Sequence, residues 1–391
     1  MGLFDPVGNV VNDDFGIRTR PMAAMTAGPT RRRVLRSLAR IASIAIVVPR
    51  VTSRAAAQAQ IPIIDAHTHI VRSLRQDREG GRGRGFGERS VNREEAVLAA
   101  LELMNRLGVT MAILAPPPFP PDRRGSYGVT QLQVMVREHP DRFAFSAGGE
   151  SLNPLIQGVA ANNVTPELLA RFTGEAQAIA AAGAAAFGEL AAEHFSFARI
   201  NPNHPYESAP PDHPLFLTLA DIAARYGMPV ELHMEAVPRD MPFPNAERAG
   251  APNPAYLHEN IAAFGRLLDH NPRARVVWVH AGWDLTGERT PALMLALLKA
   301  HSNLFMSVKS DPAGMPETAP FTRGGGIKPG WLAMLRAFPD RFVVGSDQFY
   351  DSPPVRTERA RNFVDWLPPD LAPLIAYENV RRIYRLAAVG R

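Results

Sequence analysis

The chain is 391 residues long, contains no cysteine and carries a formal net charge of +5 at neutral pH. Residues 1–59 hold nine arginines, no lysine and three acids, so the rest of the chain, with 34 basic and 35 acidic side chains, is close to neutral. This balance argues against a nucleic-acid partner, and the absence of cysteine excludes disulfide bonds.

The first 59 residues are typical of an export signal. A twin-arginine-type motif, Thr30-Arg-Arg-Arg-Val-Leu-Arg36, precedes a short apolar run at 41–48 and a small-x-small cleavage site, Ala57-Gln-Ala59. The run is too short to span a bilayer, so no stable membrane anchor is expected. We predict a twin-arginine-type signal peptide over 1–59 and a periplasmic or secreted protein. A disordered basic tail is the alternative.

Short apolar segments alternate with amphipathic ones along the remaining chain, which is typical of a parallel α/β architecture. Eight such units predict one catalytic domain over 60–391 with the (β/α)8 TIM-barrel fold, although length alone does not exclude two domains. The predicted strands are 61–69, 109–115, 143–148, 184–190, 229–234, 275–280, 304–308 and 342–347.

Apolar residues at i, i+3 and i+4 predict the helices between these strands. Two long segments without such periodicity, 76–90 and 195–212, follow the first and fourth strands and are predicted loops over the C-terminal face of the barrel. The predicted helices are 94–107, 166–182, 214–226, 256–269, 291–300, 357–367 and 371–386.

The first strand closes with Asp65-Ala-His67-Thr-His69. Alternate residues of a strand project to the same face, so the imidazoles of His67 and His69 are aimed at one point. Two neutral imidazole nitrogens on a rigid strand are suited to bind one divalent ion. Two satisfied core histidines would show the same spacing.

Polar residues also interrupt the apolar runs at the C-terminal ends of later predicted strands. They are Glu189 on the fourth, His233 on the fifth, His280 on the sixth and Asp347 on the eighth. In a barrel these positions converge on one mouth, where imidazoles and carboxylates bind zinc and related ions. Glu189 could instead form an ion pair with Arg72 or Lys309. His194 could also be the polar site residue in place of Glu189.

With these residues in order, the chain resembles the amidohydrolase superfamily, in the branch that also contains aromatic acid decarboxylases. The resemblance runs from the His-x-His pair through Val279-His280-Ala281-Gly282 and Gly345-Ser-Asp347 to the terminal Glu378-Asn-Val-Arg-Arg-Ile-Tyr segment. It implies the barrel fold and a metal-dependent activity.

The resemblance also implies a ligand set. His67, His69 and Asp347 would hold one metal, and His233 would complete that site or join His280 on a second ion. Glu189 lies on the strand where family members place a bridging carboxylate or a carbamylated lysine, and this chain has no lysine there. In decarboxylase-like members His280 would instead be an acid/base group.

These observations predict an exported hydrolase that cleaves a carboxylic ester, lactone or amide bond by metal-activated water, with Asp347 as the base. The expected cofactor is one or two divalent ions, Zn²⁺ first, with Mn²⁺ also compatible. One alternative is a metal-dependent non-oxidative decarboxylase of an aromatic or unsaturated acid. Another is a catalytically inactive periplasmic binding protein.

The expected partner is a small-molecule substrate, and a homo-oligomer is compatible with the sequence. No substrate-binding residue is assigned. Cations in the loops could pair with a substrate carboxylate, and Trp283 and Phe349 could pack on an apolar substrate. Those cations are Arg72, Arg75, Arg239, Lys309 and Arg323.

Overall fold

The structure is a computed structural model that describes residues 60–70, 93–118, 127–197, 204–244, 250–310, 315–322, 324–350 and 355–387. The predicted signal peptide, the predicted loop 76–90 and the cations Arg72, Arg75 and Arg323 lie outside the described residues. Within the described part, no helix combines the length and the apolar character needed to cross a membrane.

Eight parallel strands follow one another in sequence order around the sheet. A further pair, Gln348–Phe349, lies just beyond the eighth strand and pairs in parallel with Thr68 and His69 of the first, which closes the barrel. The strands are β1 Ile63–His69, β2 Val109–Leu114, β3 Phe143–Gly148, β4 Ala186–His194, β5 Pro229–Met234, β6 Arg275–Ala281, β7 Leu304–Val308 and β8 Phe342–Val344. The predicted (β/α)8 TIM barrel is confirmed.

Helices connect the strands and cover the outside of the barrel. Capping residues define several of their starts: the hydroxyls of Thr165 and Thr290 accept from backbone N–H groups, each followed by a proline at the first helical position. The helices are α1 Arg93–Leu107, α2 Val129–Glu138, α3 Leu152–Gln157, α4 Pro166–Ala181, α5 Pro214–Tyr226, α6 Ile261–His270, α7 Pro291–Ala300, α8 Pro329–Ala337, α9 Arg356–Trp366 and α10 Asn379–Tyr384.

Four predicted boundaries are wrong. The eighth strand, predicted over 342–347, ends at Val344, so Asp347 lies beyond it. The fourth strand continues to His194, because Glu207–Ser208 pairs with it in the antiparallel direction, so Glu189 lies inside the strand and the predicted loop 195–212 is partly extended. The helix predicted from 256 begins at Ile261, because Tyr256–Leu257 pairs with Met241–Pro242. The last predicted helix is a wider helical turn, Leu374–Glu378, followed by α10.

The barrel interior has its own apolar core beneath the polar mouth. Inward-facing residues from the strands pack against Val380, Ile383 and Tyr384 of α10, so the last helix closes the base of the barrel. The strand contributions are Ile64, Ala66, Met111, Ile113, Ala186, Val277, Val279, Phe305 and Val343. A larger layer between the strands and the outer helices forms most of the core.

Gly345 sits where β8 approaches β1 and β7. A Cβ at this position would overlap Ser307 Oγ and lie 3.0 Å from His67 Cβ. Since close-packed interiors resist added atoms, Gly345→Ala is expected to lower the free energy of unfolding by about 1–3 kcal/mol. Urea denaturation measures the change.

Gly174 is the matched control. It lies at an exposed position inside α4, and a Cβ there would meet nothing within 4 Å. Gly174→Ala should therefore stabilise the protein, by about 0.5–1 kcal/mol. Equal effects of the two substitutions would contradict the packing described around Gly345.

Glu193 is a buried acid near the end of β4 that accepts hydrogen bonds from the hydroxyls of Tyr206, at 2.7 Å, and Ser208, at 2.8 Å. Burial raises the pKa of Glu193 to about 7, against 4.5 ordinarily. The folded state thus holds a proton that the unfolded chain releases, and this stabilising contribution disappears as the pH rises from about 4.5 to 7.

Glu193→Gln removes that titration and keeps the shape of the side chain. The variant should gain stability relative to the parent between pH 5 and pH 8, by up to about 3 kcal/mol. Urea denaturation of both proteins at the two pH values checks this. A stability difference that does not change with pH would show that Glu193 is already ionised in the folded protein at pH 5.

Candidate metal centre

His67 and His69 lie side by side at the C-terminal end of β1, with their ring centroids 4.9 Å apart. His69 Nδ1 donates to the carbonyl oxygen of Ala115 at 2.9 Å, so Nε2 is the ring nitrogen that faces the mouth of the barrel. His67 is fully buried, and neither of its ring nitrogens has a hydrogen-bond partner among the described residues. A buried polar group without a partner requires one, such as a metal ion.

Glu189 occupies the centre of the cluster, and its two oxygens face opposite sides. Oε2 lies 3.6 Å from His67 Nε2 and 3.8 Å from His69 Nε2. Oε1 lies 2.7 Å from His233 Nδ1 and 3.0 Å from His280 Nε2. The carboxylate therefore separates the four imidazoles into two pairs. The predicted alternative that Glu189 pairs with Lys309 is wrong, because Lys309 contacts Asp347.

Asp347 lies in the short connection between β8 and Gln348–Phe349, with a φ of 56°. Its Oδ1 is 3.0 Å from His69 Nε2, whereas Oδ2 accepts from Lys309 Nζ at 2.6 Å and from Arg356 at 2.9 Å. Burial would raise the pKa of Asp347, but these cations hold it well below its usual value. Asp347 is therefore an anion at neutral pH.

The donor atoms fit a divalent ion. Two ligands that each bind at about 2.1 Å are at most about 4.2 Å apart. Two sets of three ligand atoms come close to this limit: His67, His69 and Asp347 form one, and His67, Glu189 and His280 form the other. The six predicted site residues lie together, and their cluster is suited to a divalent metal.

The imidazoles differ in their preferred protonation. Burial alone would lower the pKa of His67 and of His233, but Glu189 and neighbouring acids raise both to about 9. Burial and the charge of Lys309 instead lower the pKa of His280 well below its usual value. In the protein without metal, the protonated imidazoles of His67 and His233 thus balance the negative charge of Glu189. A bound metal ion would supply that positive charge instead of the protons.

Two buried acids of the site were missed in the sequence. Glu231 and Glu235 flank His233 on β5 and just beyond it, and Glu231 Oε2 lies 3.9 Å from His67 Nδ1. Glu235 Oε1 lies 3.8 Å from His233 Nε2. The pattern Glu-Leu-His-Met-Glu has the period of a strand, and it could have shown that three ionisable groups share one face.

Beside the metal-binding cluster, Trp283 contributes to an aromatic wall. Its ring lies 5.9 Å from that of His280, and Lys309 Nζ lies 3.5 Å from its centroid. Phe349 stacks on His69 at 4.5 Å. The cluster that contains Trp283 also includes Phe195, Phe197, Tyr206, Val237, Met241, Phe243, Leu257 and Leu285.

The remaining candidates are not among the six residues of the cluster. Arg239 pairs with Glu288 in an exposed position. His194 stacks on His204 and also contacts the ring of His233 at 4.6 Å. Lys309, which the sequence suggested as a loop cation, is only 2% exposed.

The solved structures that the chain resembles share little sequence with it. An uncharacterised TIM-barrel protein from Bordetella bronchiseptica is 15% identical, with a TM-score of 0.47, over 84% of this chain and 100% of that chain. A 2,6-dihydroxybenzoate decarboxylase from Rhizobium is 14% identical, with a TM-score of 0.48, over 83% and 98%. A 4-oxalomesaconate hydratase from Rhodopseudomonas palustris is 13% identical, with a TM-score of 0.45, over 83% and 95%.

No curated protein matches the sequence. The family model described as amidohydrolase, however, matches residues 64–386, which extend from β1 to just beyond α10. The match includes every strand of the barrel and all six residues of the cluster. The chain therefore belongs to the amidohydrolase family, as its ordered motifs predict.

Proposed function

We propose that the protein is a binuclear metal-dependent hydrolase that cleaves a carboxylic ester, lactone or amide bond. The observation that carries the proposal is the position of Glu189, whose two oxygens each face a different pair of imidazoles. This arrangement would allow the carboxylate to serve as a ligand for two ions. Zn²⁺ is the expected ion because most donors are imidazole nitrogens, and Mn²⁺ is compatible with the carboxylates.

In this proposal, two ion sites would share Glu189. Nε2 of His67, Nε2 of His69 and Oδ1 of Asp347 would hold the first ion. Nδ1 of His233 and Nε2 of His280 would hold the second, because these atoms are the ones that face Glu189 Oε1.

When bound, the ions lower the pKa of coordinated water and polarise the bond to be cleaved. Asp347 is the residue placed to accept the proton of the attacking water and to return it to the leaving group. Trp283 and Phe349 border the cluster and would exclude bulk water from it. Lys309 and Arg356 keep Asp347 ionised before substrate binds.

The same contacts favour a second candidate, a non-oxidative decarboxylase of an aromatic or unsaturated acid. Because Lys309 and Arg356 both donate to Oδ2 of Asp347, this carboxylate is a weak base. A lyase needs no strong base at this position, since its side chains orient the substrate and protonate a carbon. Buried Lys309 could then pair with the substrate carboxylate.

Export completes the proposal. We propose that the mature protein begins at residue 60 and acts in the periplasm or outside the cell on a small-molecule substrate. The twin-arginine-type motif and the cleavage site support this, together with the near-neutral charge of the remaining chain. A pathway that carries folded proteins would let the metal be loaded before export.

The metal content of the protein from residue 60 onwards tests the binuclear centre. We expect two equivalents of zinc by elemental analysis, and one or fewer in Glu189→Ala, because both sites lose their shared ligand. Glu193→Ala removes a buried acid from the same strand and should keep two equivalents. A single equivalent in the parent that Glu189→Ala leaves unchanged would contradict the bridge and favour the lyase.

Asp347→Asn tests the chemistry. In the hydrolase, this change should lower kcat for esters, lactones or amides by about 10²–10⁴-fold, because a neutral amide cannot accept the proton. Product analysis separates the candidates, since hydrolysis releases an alcohol or amine with an acid, whereas decarboxylation releases CO₂. A protein without turnover whose ligand affinity survives the substitution would be the binding protein.

A further inference from the structure

Glu231 lies two residues before His233 on β5, and Glu235 lies two residues after it, just beyond the end of the strand. Glu231 is 0% exposed and Glu235 is 2% exposed. Neither belongs to the ligand set, yet buried carboxylates are costly unless a partner compensates them. Gly188 provides room for the first, since a Cβ at residue 188 would lie 2.7 Å from Glu231 Cβ.

Glu231 faces His67 from the interior of the barrel. Its Oε1 accepts from the hydroxyl of Tyr384 at 2.8 Å, which fixes the carboxyl group. Its Oε2 lies 3.9 Å from His67 Nδ1, and neither of these two atoms has a hydrogen-bond partner in the described part of the chain. The two unsatisfied atoms are thus neighbours.

Glu235 faces His233 in a similar way. Its Oε2 accepts from the backbone N–H of Leu285 at 2.7 Å. Its Oε1 lies 3.8 Å from His233 Nε2 and has no hydrogen-bond partner among the described residues. The opposite ring nitrogen, Nδ1, is the one that contacts Glu189.

A neutral imidazole that binds a metal through one nitrogen carries its proton on the other, and a buried N–H needs an acceptor. If His67 binds through Nε2, its donor is Nδ1, which faces Glu231. If His233 binds through Nδ1, its donor is Nε2, which faces Glu235. In each pair, a movement of the carboxylate oxygen towards the ring nitrogen by less than about 1 Å would complete a normal hydrogen bond.

We propose that Glu231 and Glu235 are positioning residues, one for each ion: Glu231 orients His67 in the first site, and Glu235 orients His233 in the second. This inference rests on the binuclear centre proposed above. The short segment 231–235 would then supply one metal ligand, His233, and the hydrogen-bond acceptors for two ligands, His67 and His233.

Zinc affinity measured by chelator competition on the metal-free protein tests the assignment. Glu231→Gln and Glu235→Gln should each weaken one binding step by about 10–100-fold, because the neutral amide supports the imidazole less well. Glu193→Gln makes the same substitution at a buried acid outside the centre and should bind zinc like the parent. Thermal unfolding of each metal-free variant verifies the fold.

Adding each glutamine substitution to a histidine variant that retains only one ion shows which metal site each acid supports. His233→Ala leaves the first ion, whose affinity should fall with Glu231→Gln and stay unchanged with Glu235→Gln. His67→Ala leaves the second ion, and the pattern should reverse. A purely structural role would weaken binding in both backgrounds equally, and that result would overturn the proposal.

Nitrogen-15 NMR of the zinc-loaded parent gives a readout that needs no variant. The ring proton should lie on Nδ1 in His67 and on Nε2 in His233, and the opposite tautomers would overturn the proposal. Metal binding with these tautomers but no hydrolysis would reject the proposed activity alone. Two bound ions with parent-like affinity in both glutamine variants would reject this inference alone.

Discussion

The burial of one carboxylate among four imidazoles is the constraint on which the rest of the site depends. Glu189 is 4% exposed, and an ion removed from water to this extent is stable only when positive charge surrounds it. His67 and His69 come from β1, His233 from β5 and His280 from β6. The compensation therefore exists only when the barrel is closed, and the electrostatics of the mouth and the topology of the fold support each other.

Much of this arrangement could be predicted from the sequence because barrel strands are buried on both faces. Their apolar runs mark all eight strands, and the histidines that interrupt them mark the mouth. Glu231 and Glu235 were missed because an acid that alternates with apolar residues is usually on the solvent-facing side of a strand. In β5 that side faces the interior, which only the closed barrel reveals.

Tertiary contacts also decide the boundaries that the sequence did not predict. β4 is longer than its apolar run because Glu207–Ser208 pairs with its end, and this pairing buries Glu193 beneath Tyr206 and Ser208. Lys309 looked like a solvated loop cation, but Asp347 and the ring of Trp283 draw it into the interior. Strand pairing and ion pairs between segments that are distant in the sequence do not change the hydrophobic periodicity of either segment, so the sequence pattern does not reveal them.

The connection that carries Asp347 also relates the centre to the order in which the chain is made. His69 and Asp347 are separated by 278 residues, and the pair Gln348–Phe349 that completes the cylinder follows Asp347 directly. A nascent chain that ends before this point holds four imidazoles and Glu189 without the aspartate and without the last seam of the sheet. A fully assembled centre can therefore form only after synthesis has passed Asp347 and the seam strand Gln348–Phe349.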